Sequence, residues 1–161
     1  MSTSPPTERL DRLDREILAV LQEDATASVA EIAQRVCLTS TPCWRRIQKL
    51  EERGYIRKRV ALLDPAKLNV GVTVFIAIRT NQHDIAWYDA FHQLVSAMPE
   101  VTEFYRTAGN TDYLLKVSVP DIQGYDRVYK ALIKGAKLAD VSSMFAMEQI
   151  KYTTALPLDH C

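Results

Sequence analysis

Cysteine is scarce here, with Cys37, Cys43 and Cys161 the only three in 161 residues. Three cysteines at these spacings build neither a disulfide framework nor a zinc site. Cys43 reads as a small buried hydrophobe and Cys161 as an exposed tail residue, while Cys37 leaves a thiol switch open. Histidine is equally thin: His83, His92 and His160 are scattered, none in a catalytic spacing, and His92 beside Phe91 reads as a boundary residue. No glycine motif able to cradle a phosphate is present. The expectation is therefore a protein that is not an enzyme, with no metal site and no cofactor. No apolar run approaches the ~20 residues of a membrane helix. Met1 to Arg9 is polar and proline-containing, unlike a secretory leader, so the expected location is the cytoplasm, with no membrane partner. Twenty basic residues balance twenty acidic ones. Any affinity for a polyanion must then come from a local patch rather than from the overall charge.

That patch exists. Ser28 to Gly54 holds two short helical patterns separated by Cys37-Leu38-Thr39. Ser28 and Glu31, three apart, form a capping box, in which side chains satisfy the unpaired amides of a helix start. Val29, Ile32, Ala33 and Val36 then recur at helical spacing. Ser40 or Thr41 can cap the next helix, and Pro42 suits its first turn, where a missing N–H costs nothing. Cys43, Ile47 and Leu50 face the first helix; Thr41, Arg45, Gln48, Lys49 and Glu52 face away; Gly54, free to take positive φ, ends the pattern. From Trp44 to Arg59 the cations are Arg45, Arg46, Lys49, Arg53, Arg57, Lys58 and Arg59, opposed only by Glu51 and Glu52. Cations neutralise phosphate, and an arginine fork reads guanine edges. A solvated helical face in a small bundle is the plain alternative, and the charge asymmetry argues against it. The reading is a helix-turn-helix whose candidate DNA-facing residues are Ser40, Thr41, Pro42, Trp44, Arg45, Arg46 and Lys49, with double-stranded DNA as partner. Trp44 is expected mainly to pack against the domain, with backbone contact second.

Upstream, Leu10, Leu13, Ile17, Leu18 and Leu21 mark a first helix with Asp11, Asp14, Arg15 and Glu16 as its solvated side. Met1 to Thr7 reads as a disordered start. Downstream, Tyr55 to Leu63 reads as a strand and Asp64-Pro65 as a hinge. Val72 to Ile78 is an almost continuous apolar strand. Ile85, Tyr88, Phe91, Leu94, Val95 and Met98 follow a helical period. Val101 to Ala108 is a strand, Gly109-Asn110 a tight turn, and Tyr113, Leu115, Val117 and Val119 alternate as the paired strand. Ile122, Tyr125, Val128, Tyr129 and Leu132 mark another helix, and a last strand runs from about Asp140 into Tyr152. The order is the ferredoxin-like split βαβ arrangement. The expected class is α+β, with a helix-turn-helix domain over 1–54, a connecting strand and hinge over 55–69, and a ferredoxin-like βαββαβ sandwich over 70–161. Two helices cover one face of such a sheet, yet the first strand carries Phe75 and Ala77 as well as Val72, Val74 and Ile76. A second copy is the simplest cover for the other face, which predicts a symmetric dimer with two reading helices.

Several stretches in fixed order resemble the leucine-responsive and asparagine-operon family of bacterial regulators, the feast/famine regulators. They are Leu13-Asp14-Arg15-Glu16-Ile17-Leu18, Thr41-Pro42-Cys43-Trp44-Arg45-Arg46, Gly109-Asn110-Thr111-Asp112-Tyr113-Leu114-Leu115 and the tail Glu148 to Leu158. The resemblance implies a winged-type DNA-binding domain, a connecting strand and a ligand-sensing domain. It also implies dimers that assemble further, commonly into octamers, with a small amino acid bound where dimers meet. Val60 to Pro65, Met98 to Val101 and Phe145 to Thr154 look most like the cysteine-responsive detoxification subgroup. Asn110 stands where the family is usually acidic, and Met144 where that subgroup carries a smaller polar residue. Both departures bear on the ligand, with cysteine, leucine and methionine as candidates.

An amino-acid effector needs donors for its carboxylate and an acidic group for its ammonium. The Ala108 to Tyr113 turn can offer both, through close backbone approach at Gly109 and through Asp112, with Asn110 and Thr111 between them. On the residues alone a plain hairpin turn is the simpler reading. The resemblance turns it toward a ligand loop, places Met144, Phe145 and Ala146 at the side-chain pocket, and brings in Tyr105 and Thr107 by proximity. An effector that prefers one assembly would shift the population toward it and so change which half-sites are engaged together. The competing reading is an amino-acid-binding module or thiol sensor without DNA contact, which would leave Arg45, Arg46 and Lys49 unexplained.

Overall fold

The computed structural model describes residues 9–160 apart from residue 83. The readings made of Met1 to Thr7, His83 and Cys161 lie outside the described residues. The chain forms two compact units. One runs through Leu62 and takes in the tail from Lys151; the other spans Leu63–Ile150. No helix among the described residues is long and apolar enough to cross a membrane.

The N-terminal unit is three helices. Helix α1 (Arg12–Glu23) starts where Asp11 accepts the Asp14 N–H at 2.8 Å. Helix α2 (Val29–Arg35) opens on the expected capping box: the Ser28 N–H donates to Glu31 Oε2 at 2.7 Å, and the Glu31 N–H returns to Ser28 Oγ at 3.3 Å. Helix α3 (Ser40–Glu52) is capped by Thr39, one residue earlier than expected, and the Thr39 side chain makes no capping bond. Ser40, Thr41 and Pro42 become its first three residues, so Pro42 still falls where its missing N–H is harmless. The α3 end closes as a Schellman motif, with the Gly54 N–H on Glu51 O at 2.9 Å, the Tyr55 N–H on Leu50 O at 3.0 Å, and Gly54 at φ +77°.

The turn between α2 and α3 closes the same way without a glycine. The Leu38 N–H donates to Ala33 O at 2.8 Å across Cys37, which sits at φ +55°. A Cβ in that region crowds the backbone. Leu10, Ile17, Leu18 and Leu21 meet Ile32, Ala33, Val36, Cys43, Ile47 and Leu50 in one core, so the expected inward faces are the observed ones.

Two expectations for this half fail. Tyr55 to Leu63 is not a strand: no ladder forms over these residues, because an extended segment needs an edge to pair with and the sheet's four strands all lie further on. Nor does the tail belong to the C-terminal unit. The Gln22 carboxamide holds Leu156 from both sides, donating to its carbonyl at 3.2 Å and accepting its N–H at 2.7 Å, and Leu158 packs on the helical core. These contacts draw residues from Lys151 onward to α1.

The C-terminal unit holds strand β1 (Val72–Arg79), helix α4 (Ile85–Ser96), strands β2 (Val101–Arg106) and β3 (Tyr113–Val119), helix α5 (Ile122–Gly135) and strand β4 (Asp140–Phe145). The antiparallel sheet has the order β2-β3-β1-β4. This is the ferredoxin-like arrangement read from the sequence. Val74, Ile76 and Ile78 of β1 and Tyr113, Leu115, Val117 and Val119 of β3 are buried with Phe91 and Val95 of α4 and Val128 and Leu132 of α5. Gly124 is buried in the first turn of α5, where a Cβ would meet Pro120 Cδ at 2.9 Å.

Strand β4 stops at Phe145 rather than running to Tyr152, because β1, its only neighbour, is nearly exhausted: the Ala146 N–H takes Thr73 O at 2.9 Å. Strand β2 likewise ends at Arg106, and the hairpin loop spans Thr107–Asp112, longer than the tight turn expected. Ile85 and Tyr88 are also off the buried stripe of α4; Trp87 packs there instead, and Ile85 is 78% exposed.

Replacing Cys37 by glycine removes the left-handed penalty of ~1–2 kcal/mol and returns part of it through the freer unfolded chain. Thermal unfolding of Cys37→Gly should show the helical unit stabilised by about 0.5–1 kcal/mol; a loss of stability would contradict this account of the turn.

Candidate nucleic-acid interface and effector loop

On α3 the residues alternate between duty to the core and exposure to solvent. Cys43, Ile47 and Leu50 are sealed at 0%, 2% and 2% exposure. Burial in apolar surroundings pushes the Cys43 thiol above its ordinary value, which suits a packing residue rather than a nucleophile. Ser40, Thr41, Pro42, Trp44, Arg45 and Lys49 are all exposed. Trp44 is 51% exposed, so the expectation that it packs against the domain does not hold. Its neighbours on that turn face outward, and the indole goes with them.

Arg46 departs from the expected set. Its Nη1 donates to Asp14 Oδ1 at 2.6 Å and to Asp11 Oδ2 at 2.7 Å. The hydrogen bonds to Asp14 and Asp11 raise the Arg46 pKa. Burial pushes the Asp11 carboxyl upward, but the Asp14 N–H and the Arg46 guanidinium outweigh it and hold it below the usual range. Asp11 and Asp14, taken for solvated residues, therefore clamp α1 to α3. A signal was present in the sequence, two acids three apart at a helix start, but only the packed structure names their partner. Further along, Arg59 pairs with Glu51 at 2.9 Å, and Arg57 and Lys58 are exposed on the chain that leaves α3.

In the C-terminal unit, the Thr107 N–H takes Asp112 O at 2.9 Å, and the Thr107 hydroxyl donates to Thr111 O, closing the loop. Gly109 sits at φ +118°, and the tip from Ala108 to Asn110 is exposed. Asp112 is tied down: its N–H donates to Ile78 O at 3.0 Å, and its Oδ2 accepts the Thr80 N–H at 2.8 Å. One carboxylate oxygen thus holds the loop base to the end of β1.

Tyr105 lies apart from the loop tip, with its hydroxyl on Glu103 Oε2 at 2.7 Å, and Lys116 Nζ reaches Glu103 Oε1 at 2.8 Å. The Lys116 and Tyr105 hydrogen bonds lower the Glu103 pKa, and Glu103 raises that of Tyr105.

The β4 candidates are not one cluster. Successive strand residues point to opposite faces. Phe145 meets the Tyr125 ring of α5 edge-on at 5.0 Å, on the helix side, so Met144 stands on the open face with Phe75 across from it. Both also lie toward the end of β1 away from the loop: Met144 pairs with Phe75 and Phe145 with Val74, whereas Asp112 binds Ile78. Within one protomer, Met144, Phe145 and Ala146 are not gathered at the Thr107–Asp112 loop. Sequence reasoning also missed a cavity of about 230 Å³ flanking that loop, lined by Asp84, Trp87, Tyr88, Arg106 and Tyr113 among others. No group of acidic, cysteine or histidine side chains able to hold a metal occurs among the described residues.

Both halves match known families. Residues 10–57 match a winged helix-turn-helix DNA-binding family and residues 73–156 the Lrp/AsnC ligand binding domain. The chain is 51% identical over 150 residues to the glutamate uptake regulatory protein of Zymomonas mobilis, covering 93% of this chain and 92% of that protein. It is 50% identical over 151 residues to the DNA-binding transcriptional activator DecR of Escherichia coli, covering 93% and 99%. Among solved structures, an AsnC family transcriptional regulator from Agrobacterium tumefaciens superposes with a TM-score of 0.91 at 62% identity, covering 94% of this chain and 99% of that one. The L-Met complex of the transcriptional regulator NMB0573 from Neisseria meningitidis superposes with a TM-score of 0.90 at 36% identity, covering 94% and 98%.

The clamp makes a prediction. Arg46→Met keeps the aliphatic stem and deletes the charge, and should cost the helical unit about 1–2 kcal/mol in chemical denaturation. Because the folded-state pKa of Asp11 is depressed, its contribution is complete above its unfolded value of 3.8 and is lost as pH falls through the lower folded value. A pH titration of stability should show this acid-side loss in the parent and a smaller one in Arg46→Met.

Proposed function

The chain belongs to the Lrp/AsnC family of transcriptional regulators, which are not enzymes, and from that premise we propose that it binds operator DNA through α3 and responds to a small amino acid through its C-terminal unit. The observation that carries the DNA reading is the division of α3. Its apolar face is sealed in the core, Arg46 is spent on α1, and Arg45 and Lys49 stand exposed beside Ser40, Thr41, Pro42 and Trp44. Arg45 is the base reader in this proposal. Ser40, Thr41, Trp44 and Lys49 approach the backbone, with Arg57 and Lys58 adding phosphate contacts beyond the helix. Arg46 positions the reader rather than reading.

The effector is a small amino acid, with cysteine, leucine and methionine as candidates. The ligand binding domain match and the L-Met complex of the Neisseria regulator support that class. In this reading the Thr107–Asp112 loop forms the effector surface, with Gly109, Asn110 and Thr111 at its tip and Tyr105 beside it. The sheet face away from the helices supports dimerisation: Phe75 and Ala77 on β1 and Leu114 on β3 are only partly covered, and Met144 is 52% exposed. A second copy laid on that face would bury them and supply two reading helices. The dimers then assemble further, to octamers, and a second protomer would bring Met144, Phe145 and Ala146 to a loop their own chain keeps from them. As a DNA-reading regulator it works in the cytoplasm.

Two measurements test this. Affinity for a promoter fragment should fall linearly in log–log form with salt, and Arg45→Ala should weaken it by about 1–3 kcal/mol, roughly 5- to 150-fold, at temperatures where the protein stays folded. Indifference to every promoter fragment at low salt would end the DNA reading. Titration calorimetry against the common amino acids, run with light scattering, should find at least one that binds and shifts the assembly; binding by none would end the sensing one.

A further inference from the structure

Resting on the DNA reading above, we infer that Gln48 is a second base reader, specific for an adenine beside the guanine that Arg45 addresses, and that Glu51 and Arg59 hold its carboxamide ready for that task.

Of the outward residues of α3, Gln48 and Glu52 bring neither a cation nor a hydroxyl to the duplex. Glu52 has the wrong charge to approach a phosphate chain. Gln48 is neutral and carries both donors and an acceptor. It follows Arg45 by three residues, so the two are neighbours on the helix surface. They stand about 4.5 Å apart along the axis, close to the ~3.4 Å between successive base pairs. A helix laid in the major groove with Arg45 on one pair therefore brings Gln48 to the next.

The half-buried Gln48 side chain is oriented by its neighbours. Its Nε2 donates to Glu51 Oε2 at 3.1 Å, and Glu51 Oε1 accepts from Arg59 Nη2 at 2.9 Å. An ionised carboxylate only accepts, so the amide nitrogen must face Glu51 and the amide oxygen must turn away from it. Among the described residues the carboxamide makes no other hydrogen bond, which leaves Oε1 and the second N–H of Nε2 unspent. Adenine presents the matching edge in the major groove, an N6–H donor beside the N7 acceptor. Guanine offers two acceptors there, cytosine a donor alone, and thymine an acceptor beside a methyl group, so none of these satisfies both groups.

The same contacts give Glu51 a reason to stand in an otherwise basic stretch, where its charge opposes phosphate. Its ion pair with Arg59 is exposed and contributes little to stability. One oxygen neutralised by Arg59 and the other on Gln48 fix an amide before the duplex arrives, and a side chain ordered in advance loses less entropy on contact. Arg59 lies beyond Gly54, so a single carboxylate ties the chain leaving α3 to its reading face.

Selection from a pool of duplexes with a randomised core decides this, using the full-length parent, Gln48→Ala, Arg45→Ala and Glu51→Ala. Alanine favours a helix, so α3 persists in each variant. The parent should enrich a half-site in which guanine adjoins adenine. Gln48→Ala should lose the preference at the adenine alone, and Arg45→Ala at the guanine alone. On the selected duplex, 7-deazaadenine keeps the pairing with thymine and lacks the N7 acceptor. It should weaken the parent about fivefold or more, and Gln48→Ala by less than about twofold. Glu51→Ala should bind every duplex more tightly, since a negative charge is gone and Arg59 is released, yet discriminate that adenine less. A merely structural Glu51 would not move affinity and discrimination in opposite directions, and unchanged discrimination in this variant would strike its positioning role. If the parent enriches a half-site and Gln48→Ala enriches the same one at every position, the second reader is overturned and the DNA reading stands. If the parent enriches no sequence, both fall.

Discussion

The structure depends on α3 being held by one side only. Cys43, Ile47 and Leu50 lock that side into the helical core, and the Arg46 guanidinium, between Cys43 and Ile47 in the chain, bridges to Asp11 and Asp14 at the start of α1. Burial supplies the adhesion, since each large side chain removed from water contributes ~1.5–3 kcal/mol. The charge bridge supplies direction: one guanidinium nitrogen held between two carboxylates tolerates little rotation of one helix against the other. With the inner side fixed, the residues between, Trp44, Arg45 and Lys49, have nowhere to go but outward. A reading surface is thus a consequence of the packing, and the two closures at Cys37 and Gly54 set where it starts and stops.

The C-terminal unit works by a different periodicity. Alternation along β1 and β3 sends Val74, Ile76, Ile78, Leu115 and Val117 under the two helices, and leaves Phe75, Ala77 and Leu114 on the side without helices. The same alternation divides Met144 from Phe145, so a pocket drawn from consecutive β4 residues cannot lie on one face. Around the hairpin, order comes from Asp112, whose backbone and side chain tie the loop to the end of β1. The two residues that bracket the loop, Arg106 and Tyr113, are the end and the start of regular strands, and they pair with each other across the ladder.

Much of this was legible in the residues. The three helices, the capping box at Ser28, the inward face of α3, the order of elements in the C-terminal unit and the buried alternation of β3 follow from spacing and side-chain chemistry alone. What was missed has a common cause. Arg46 and Trp44 were misplaced because periodicity tells inward from outward but not which outward residue leans back to a neighbour. Tyr55 to Leu63 was taken for a strand because propensity reads a residue's preference for extension and not the presence of an edge to pair with. The tail was assigned by adjacency in the chain, and the Gln22 carboxamide, 134 residues away, decided otherwise.

By itself, then, the order of residues determined the elements and their buried sides, because helix and strand periods are local properties that each segment carries with it. Its motifs also determined the family. Tertiary structure alone decided which charges are spent internally, where the tail lies, and that Asp84, Trp87, Arg106 and Tyr113 share a cavity. Those are meetings of residues far apart in the chain, and a side chain's partner depends on what packing brings within hydrogen-bond reach, which no local period encodes.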